Sequence, residues 1–346
     1  MTLSASISVR KNSAAVHVLV AAGLAVAVIA SAAQAEKGAR PSLDDYLKSV
    51  GYLPVVLKRG ENDKMLAEGV LAGKKRSFFV DTGWGKTTLN EAAARGLKSL
   101  GELGVTLEDS FLGKLSDPSI VLMDNLTLDR AQFLNQPAKV KDLRMDFIVT
   151  GFDGVLGCDF LFRNYSFIDC FNRRLYVRGS RPSDEMTLAM DATMRNSGFT
   201  GVPFDLKYGL TVEARVKDEA FRLLIDTGST FSILDAALAE RLGLTSEKHT
   251  KTELGSRIKR ELSTTVVGVG NIGAHKMWVA TLKTLEVGSL VWTNVHFGVT
   301  DLKSWGLAKP GSQSEQVQAL LGRELLNERG ARIDFHSRKL WLRPVK

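Results

Sequence analysis

Arg222-Leu223-Leu224-Ile225-Asp226-Thr227-Gly228-Ser229-Thr230-Phe231-Ser232-Ile233-Leu234-Asp235 has an ungapped counterpart 145 residues earlier, Ser77-Phe78-Phe79-Val80-Asp81-Thr82-Gly83-Trp84-Gly85-Lys86-Thr87-Thr88-Leu89-Asn90. Each copy runs through three apolar residues, Leu223–Ile225 or Phe78–Val80, into Asp-Thr-Gly. Each then reaches an apolar residue and a helix-capping type, Asp235 or Asn90, ahead of an Ala-rich stretch that reads as a helix. A given tripeptide turns up by chance roughly once in several thousand positions. Two copies with shared flanks point to an internal duplication.

A second pair of segments extends the repeat. Val155-Leu156-Gly157-Cys158-Asp159-Phe160-Leu161, followed by Phe167-Ile168-Asp169 and Arg173–Arg178, aligns without a gap on Leu320-Leu321-Gly322-Arg323-Glu324-Leu325-Leu326, Arg332-Ile333-Asp334 and Arg338–Arg343. The offset here is 165, so the second half carries 20 more residues between its two motifs. Upstream of each Asp-Thr-Gly the pattern is that of a β-hairpin: Leu66–Leu71, the tip 72–75 and Phe78–Val80 in the first half, Leu210–Val216, the tip Lys217-Asp218-Glu219 and Phe221–Ile225 in the second. Ile120–Leu128 and Ala131–Val140 read as strands, as do Lys276–Val287 and Val291–Val299. The glycines between Gly268 and Gly288 suit a mobile hairpin, a flap, near Gly268–Gly273 that only the second half supplies.

The chain of 346 residues is long enough for two cores, and its 44% apolar and 24% charged residues are those of folded protein. Residues 1–35 read as a secretory signal peptide: Arg10 and Lys11, the apolar run Val16–Ala33, and Ala33-Gln34-Ala35 as the cleavage triplet. Its removal would leave a net charge of +6 on 311 residues, and the mature protein is expected in the periplasm or secreted, an uncleaved membrane anchor being the weaker reading. The remaining organisation is a first lobe over 36–178, a linker over 179–201 and a second lobe over 202–346.

These motifs resemble those of the retropepsin-type aspartic proteases, and the whole chain resembles two such domains fused into one, a pepsin-like bilobal arrangement. Apolar-apolar-apolar-Asp-Thr-Gly stands at Phe78–Gly83 and Leu223–Gly228, and apolar-apolar-Gly before a short helix at Val155–Gly157 and Leu320–Gly322. The resemblance implies a mainly all-β fold of two β-barrel lobes related by a pseudo-twofold axis, each with a short helix. It implies catalytic Asp81 and Asp226, supported by Thr82, Gly83, Thr227, Gly228 and Ser229, with Thr82 and Thr227 hydrogen-bonding across the lobe interface. Two carboxylates held together cannot both ionise cheaply, so they share a proton; one activates a water and the other polarises the scissile carbonyl. Which of them carries the proton the sequence leaves open. The implied activity is that of an exported endopeptidase working as a monomer on peptide or protein, needing no cofactor or metal, with no nucleic-acid partner and no membrane association after signal cleavage.

The first motif departs from the pattern. Ser229 and Thr230 follow the second Gly, but Trp84, Gly85 and Lys86 follow the first. Trp84 takes the place of a small residue beside the carboxylate, and the Lys86 charge could favour a doubly ionised pair. The alternative reading is therefore a catalytically degraded, peptide-binding protein of the same fold. Other chemistry falls away. Gly85-Lys86-Thr87 lacks the glycine of a phosphate-binding loop, since Val80 stands there, and no Gly-x-Ser-x-Gly elbow exists. His17, His249, His275, His296 and His336 show no metal-ligand spacing. Cys158 and Cys170 lie in one copy only, opposite Arg323 and Phe335, so the fold does not depend on them; whether they pair in an oxidising compartment stays open.

Overall fold

The two Asp-Thr-Gly turns end corresponding strands of two barrels. In the computed structural model, residues 42–104, 107–109, 113–115, 117–143, 151–207, 209–244, 277–302 and 317–344 are described. The signal peptide, the flap near Gly268–Gly273, His249 and His275 lie outside them. No helix among the described residues is long and apolar enough to cross a membrane.

Chain order in the first half is α1 (Leu43–Ser49), β1 (Leu53–Arg59), β2 (Met65–Leu71), β3 (Lys74–Val80), β4 (Thr88–Leu89), α2 (Glu91–Ala94), α3 (Leu100–Leu103), β5 (Leu107–Asp109), β6 (Gly113–Leu115), β7 (Ile120–Leu128), β8 (Ala131–Val140), β9 (Gly154–Leu156), α4 (Cys158–Arg163), β10 (Phe167–Asp169) and β11 (Arg174–Val177). The second half follows with α5 (Asp184–Asn196), β12 (Thr200–Pro203), β13 (Thr211–Val216), β14 (Glu219–Ile225), β15 (Ile233–Asp235), α6 (Ala236–Arg241), β16 (Trp278–Val287), β17 (Leu290–Thr300), β18 (Val317–Leu321), α7 (Arg323–Glu328), β19 (Arg332–Asp334) and β20 (Lys339–Leu342).

Strands β13-β14-β18-β15-β17-β16 form a closed barrel, shut by the pairing of β16 with β13. Strands β2-β3-β9-β4-β8-β7 repeat that order, and β7 returns to β2 to close the first barrel. In both, the strand leading to Asp-Thr-Gly runs parallel to the strand that ends at apolar-apolar-Gly, β3 with β9 and β14 with β18. The hairpins feeding these strands turn as their sequences demand. Ala72 and Gly73 both take positive φ at the first tip, and Lys217 does so at the second. Alternation decides which residues fill the barrels: Phe78 and Val80 point into the main core, as do Leu223 and Ile225, while Phe79 and Leu224 leave by the other face into separate apolar clusters.

A third sheet, in the order β1-β11-β10-β19-β20-β12, joins the lobes with three strands from each half. Its two middle strands pair antiparallel with Ile168 opposite Ile333. Those residues are equivalents in the duplication, and a strand position paired with its own copy is what a pseudo-twofold axis requires. One side of this sheet is covered by α1 and α5, which bury Leu47, Met190 and Met194 against Phe167, Tyr176, Phe199 and Trp341.

The Ala-rich stretches are short helices capped by the anticipated side chains: Asn90 accepts from the Ala93 N–H and Asp235 from the Ala237 N–H. The helix content is greater than one per lobe. Within the linker stretch, Asp184–Asn196 is a helix of 13 residues whose N-terminus is capped by Ser183. Cys158 and Cys170 are both buried free thiols.

Candidate active site

Asp81 and Asp226 are the first residues beyond β3 and β14. Their backbone N–H groups donate to Leu156 O at 3.2 Å and Leu321 O at 3.0 Å, so each aspartate stays tied to the neighbouring parallel strand. The threonines that follow lock the two turns to each other. Thr82 N donates to Thr227 Oγ1 and Thr227 N to Thr82 Oγ1, both at 3.0 Å. Each hydroxyl passes its own proton on across the axis, Thr82 Oγ1 to Ile225 O at 2.7 Å and Thr227 Oγ1 to Val80 O at 3.1 Å. These four buried bonds cross-link the lobes at the site, and each would leave an unpaired donor or acceptor if broken.

The glycines set the approach of the acids. A methyl group on Gly83 would lie 2.6 Å from Asp226 Cγ, and one on Gly228 would lie 2.3 Å from Asp81 Oδ2. Each carboxyl group therefore rests against the glycine of the opposite turn, where no side chain fits. The turns also reach their own carboxylates: Gly83 N donates to Asp81 Oδ1 and Gly228 N to Asp226 Oδ1, each at 2.8 Å, and Ser229 N adds a second bond to Asp226 Oδ1 at 3.0 Å. The Ser229 hydroxyl is spent elsewhere, donating to Phe231 O.

Both acids are nearly sealed, with Asp81 2% and Asp226 8% exposed. Burial pushes the Asp81 carboxyl well above the usual carboxylate range, and the negative charge of Asp226 pushes the same way. Burial also raises Asp226, opposed by the N–H groups of Ser229 and Gly228, by its hydrogen bond with Asp81 and by the Arg323 charge. Such a pair holds one proton between two oxygen acids over a broad range of pH.

The Trp84 and Lys86 side chains have other surroundings than their place in the motif suggests. The Trp84 indole N–H donates to Thr88 Oγ1 at 2.9 Å, and its ring packs on the cluster of Phe79, Leu143, Phe152 and Val155. Lys86 is exposed. Two other cations lie near the pair instead, and neither was indicated by the motifs. Lys64 is 4% exposed, with Nζ 5.5 Å from the Phe79 ring centre and 5.3 Å from that of Phe152; burial first, and repulsion from Arg323 second, hold it down at about 8. Arg323, 2% exposed, donates through Nη1 to Thr227 O and Gly228 O and through Nη2 to Thr230 Oγ1 and Asn62 O. Asn62 belongs to the turn between β1 and β2, so this contact adds another bridge between the halves. In the duplication Arg323 stands where the first half has Cys158, whose thiol donates to Thr82 O at 2.9 Å. The signal was present in sequence as a charged residue at a buried helix start, opposite a neutral one.

The next residue of each short helix ties down the loop that follows the aspartate. Asp159 accepts from Thr87 N and Oγ1, and Glu324 accepts from Ser232 N, Thr87 and Ser232 being equivalents. Among the described residues, no group of three His, Cys, Asp or Glu side chains is placed to hold a metal ion.

Residues 212–325 match the aspartyl protease family model. Among solved structures, the chain is similar to an aspartic proteinase from Irpex lacteus, with 14% identity and a TM-score of 0.45 over 86% of this chain and 98% of that one. No curated protein matches it. The family match falls on the second lobe, and the first lobe repeats its barrel and its Asp-Thr-Gly turn.

Proposed function

We propose that this protein is an exported aspartic endopeptidase that hydrolyses peptide bonds with a water activated between Asp81 and Asp226. The observation that carries this reading is the reciprocal threonine grip, which sets two buried carboxyl groups against each other's glycine turns. In such a pair the ionised member draws a proton from water as it attacks the peptide carbonyl. The protonated member hydrogen-bonds the carbonyl oxygen, giving a gem-diol without a covalent enzyme intermediate. Breakdown returns a proton to the leaving nitrogen and restores the shared-proton state. β-Rich lobes on both sides favour a substrate bound extended, through backbone hydrogen bonds.

The peptide-binding alternative drew on Trp84 and Lys86, and the packing of Trp84 on Phe79 and Phe152, with Lys86 exposed, leaves it without that support. The test is incubation of the mature protein with a mixed peptide library from mildly acidic to neutral pH. Cleavage that Asp226→Asn reduces by at least a thousandfold supports the protease; wild-type protein that binds peptides but cuts none returns the function to binding. Export predicts an N-terminus at Glu36 on protein recovered outside the cytoplasm, read by N-terminal sequencing, and retained upstream residues would make the segment an anchor.

A further inference from the structure

The threonine grip is symmetric, but the surroundings of the two acids are not. Asp226 accepts two backbone N–H bonds, from Gly228 and Ser229. Asp81 accepts one from its turn, from Gly83, because the Trp84 N–H is turned to the Asp81 main-chain oxygen at 3.4 Å. Behind the turns the contrast sharpens. Thr227 O shares a peptide group with the Gly228 N–H, and Gly228 O shares one with the Ser229 N–H. Arg323 Nη1 donates to both of those oxygens, at 2.7 and 3.1 Å. A cation bonded to a peptide carbonyl draws density from the group and strengthens its N–H as a donor. Two such relays run from one guanidinium to Asp226 Oδ1. On the other side a single, weakly donating thiol, Cys158, bonds Thr82 O behind the Gly83 N–H.

We propose that Arg323 is a positioning residue that polarises the aspartate pair, so that Asp226 holds the negative charge and Asp81 the proton. The inference rests on the reading of these two residues as a working dyad, and assigns each its role: Asp226 takes the proton of the water, and Asp81 donates to the carbonyl. Among the described residues, the charged and titratable groups facing the pair are Arg323, Lys64 and the Cys158 thiol. Cys158 is held neutral by burial. Lys64 acts on the Asp81 side and opposes the assignment, but its ammonium sits over the Phe79 and Phe152 rings, and Arg323 acts on both acids directly. Arg323 is itself faced by Asp63 and Glu324, and Lys64 by Glu61.

The test leaves each acid alone in turn, in Asp81→Asn and Asp226→Asn, and follows its carboxyl carbon by NMR through a pH titration of the full mature chain. The remaining Asp226 should titrate at least one pH unit below the remaining Asp81; equal midpoints or the reverse order overturn the proposal. Adding Arg323→Gln to each variant should at least halve the gap, and an unchanged gap removes Arg323 as its source. If circular dichroism shows that Arg323→Gln fails to fold, Arg323→Lys replaces it: the charge stays but the two-carbonyl fork is lost, so the gap should narrow with its order kept, and an unaltered gap again counts against the proposal. None of these readouts needs cleavage. An inactive protein with the expected order refutes the protease and keeps the polarity, and an active one with the order reversed does the opposite.

Discussion

Trp84 shows how a single side chain can mislead when it is read along a motif. Its position beside Asp81 suggested an indole wedged against the acid, yet its N–H is bonded to Thr88 Oγ1 and its ring completes the Phe79–Phe152 cluster. Trp84→Ser should therefore cost stability, about 2 kcal/mol for a partly buried ring, and leave peptide cleavage within about twofold of wild type once folded protein is compared. Denaturant unfolding and kcat/KM on one peptide measure the two effects. A marked gain in cleavage would mean that the indole restrains the acids after all. The acids themselves and their threonines were legible because the motif fixes residue types at every position of a tight turn. Arg323 and Lys64 were not, since each is buried by partners distant in sequence, and the exchange of Cys158 for Arg323 looked dispensable until both were seen bonded to equivalent carbonyls.

At the scale of elements, the hairpins leading to each Asp-Thr-Gly were readable because strands with one buried face alternate and their tips are small or charged. The strands 120–128 and 131–140 fall where the pattern put them, and 278–287 and 290–300 differ from it by a residue or two at the ends. Helix α5 was hidden by its punctuation. Gly179 and Pro182 before it and Asn196-Ser197-Gly198 after it dominate the reading, although Ser183 at the cap and Met186, Met190 and Met194 four apart were its signal. That helix and α1 cover the joining sheet, so the stretch between the lobes holds structure as well as chain. The joining sheet itself was out of reach, because its register depends on which short strands meet rather than on any one of them.

For the whole molecule, buried acids set the response to pH. Burial raises the carboxyls of Asp81, Asp159, Asp226, Glu324 and Asp334, and Glu324 is raised to about 7. A carboxyl whose folded value lies above its unfolded one binds the proton more tightly when folded. Its stabilisation is complete below the unfolded value and is lost as pH climbs through the folded one. Half-buried His336, lowered by its burial, and Asp44 and Asp117, lowered mainly by their hydrogen bonds with Lys48 and Ser119, act the opposite way. With five raised against three lowered, and the lowered carboxyls titrating below this range, Tm should be higher near pH 5 than near pH 8. Glu324→Gln should flatten the fall between about pH 4.5 and 7, recovering roughly 3 kcal/mol at neutral pH, because a neutral amide can still accept from Ser232 N. Thermal unfolding of both proteins across that range decides it; a Tm that climbs steadily from pH 5 to 8 would show that buried acids do not govern stability.

The pairing of Ile168 with Ile333 bears on how the chain reaches this state. The first barrel can assemble from contiguous sequence, but the strand Phe167–Asp169 has no neighbour on its outer side until Arg332–Asp334 has been synthesised. Through that interval a nascent chain presents a raw sheet margin that another copy of itself could occupy equally well. Closing so long a loop is slow, so misassembly between molecules, rather than failure of either barrel, is the hazard that expression and refolding of this protein must outrun.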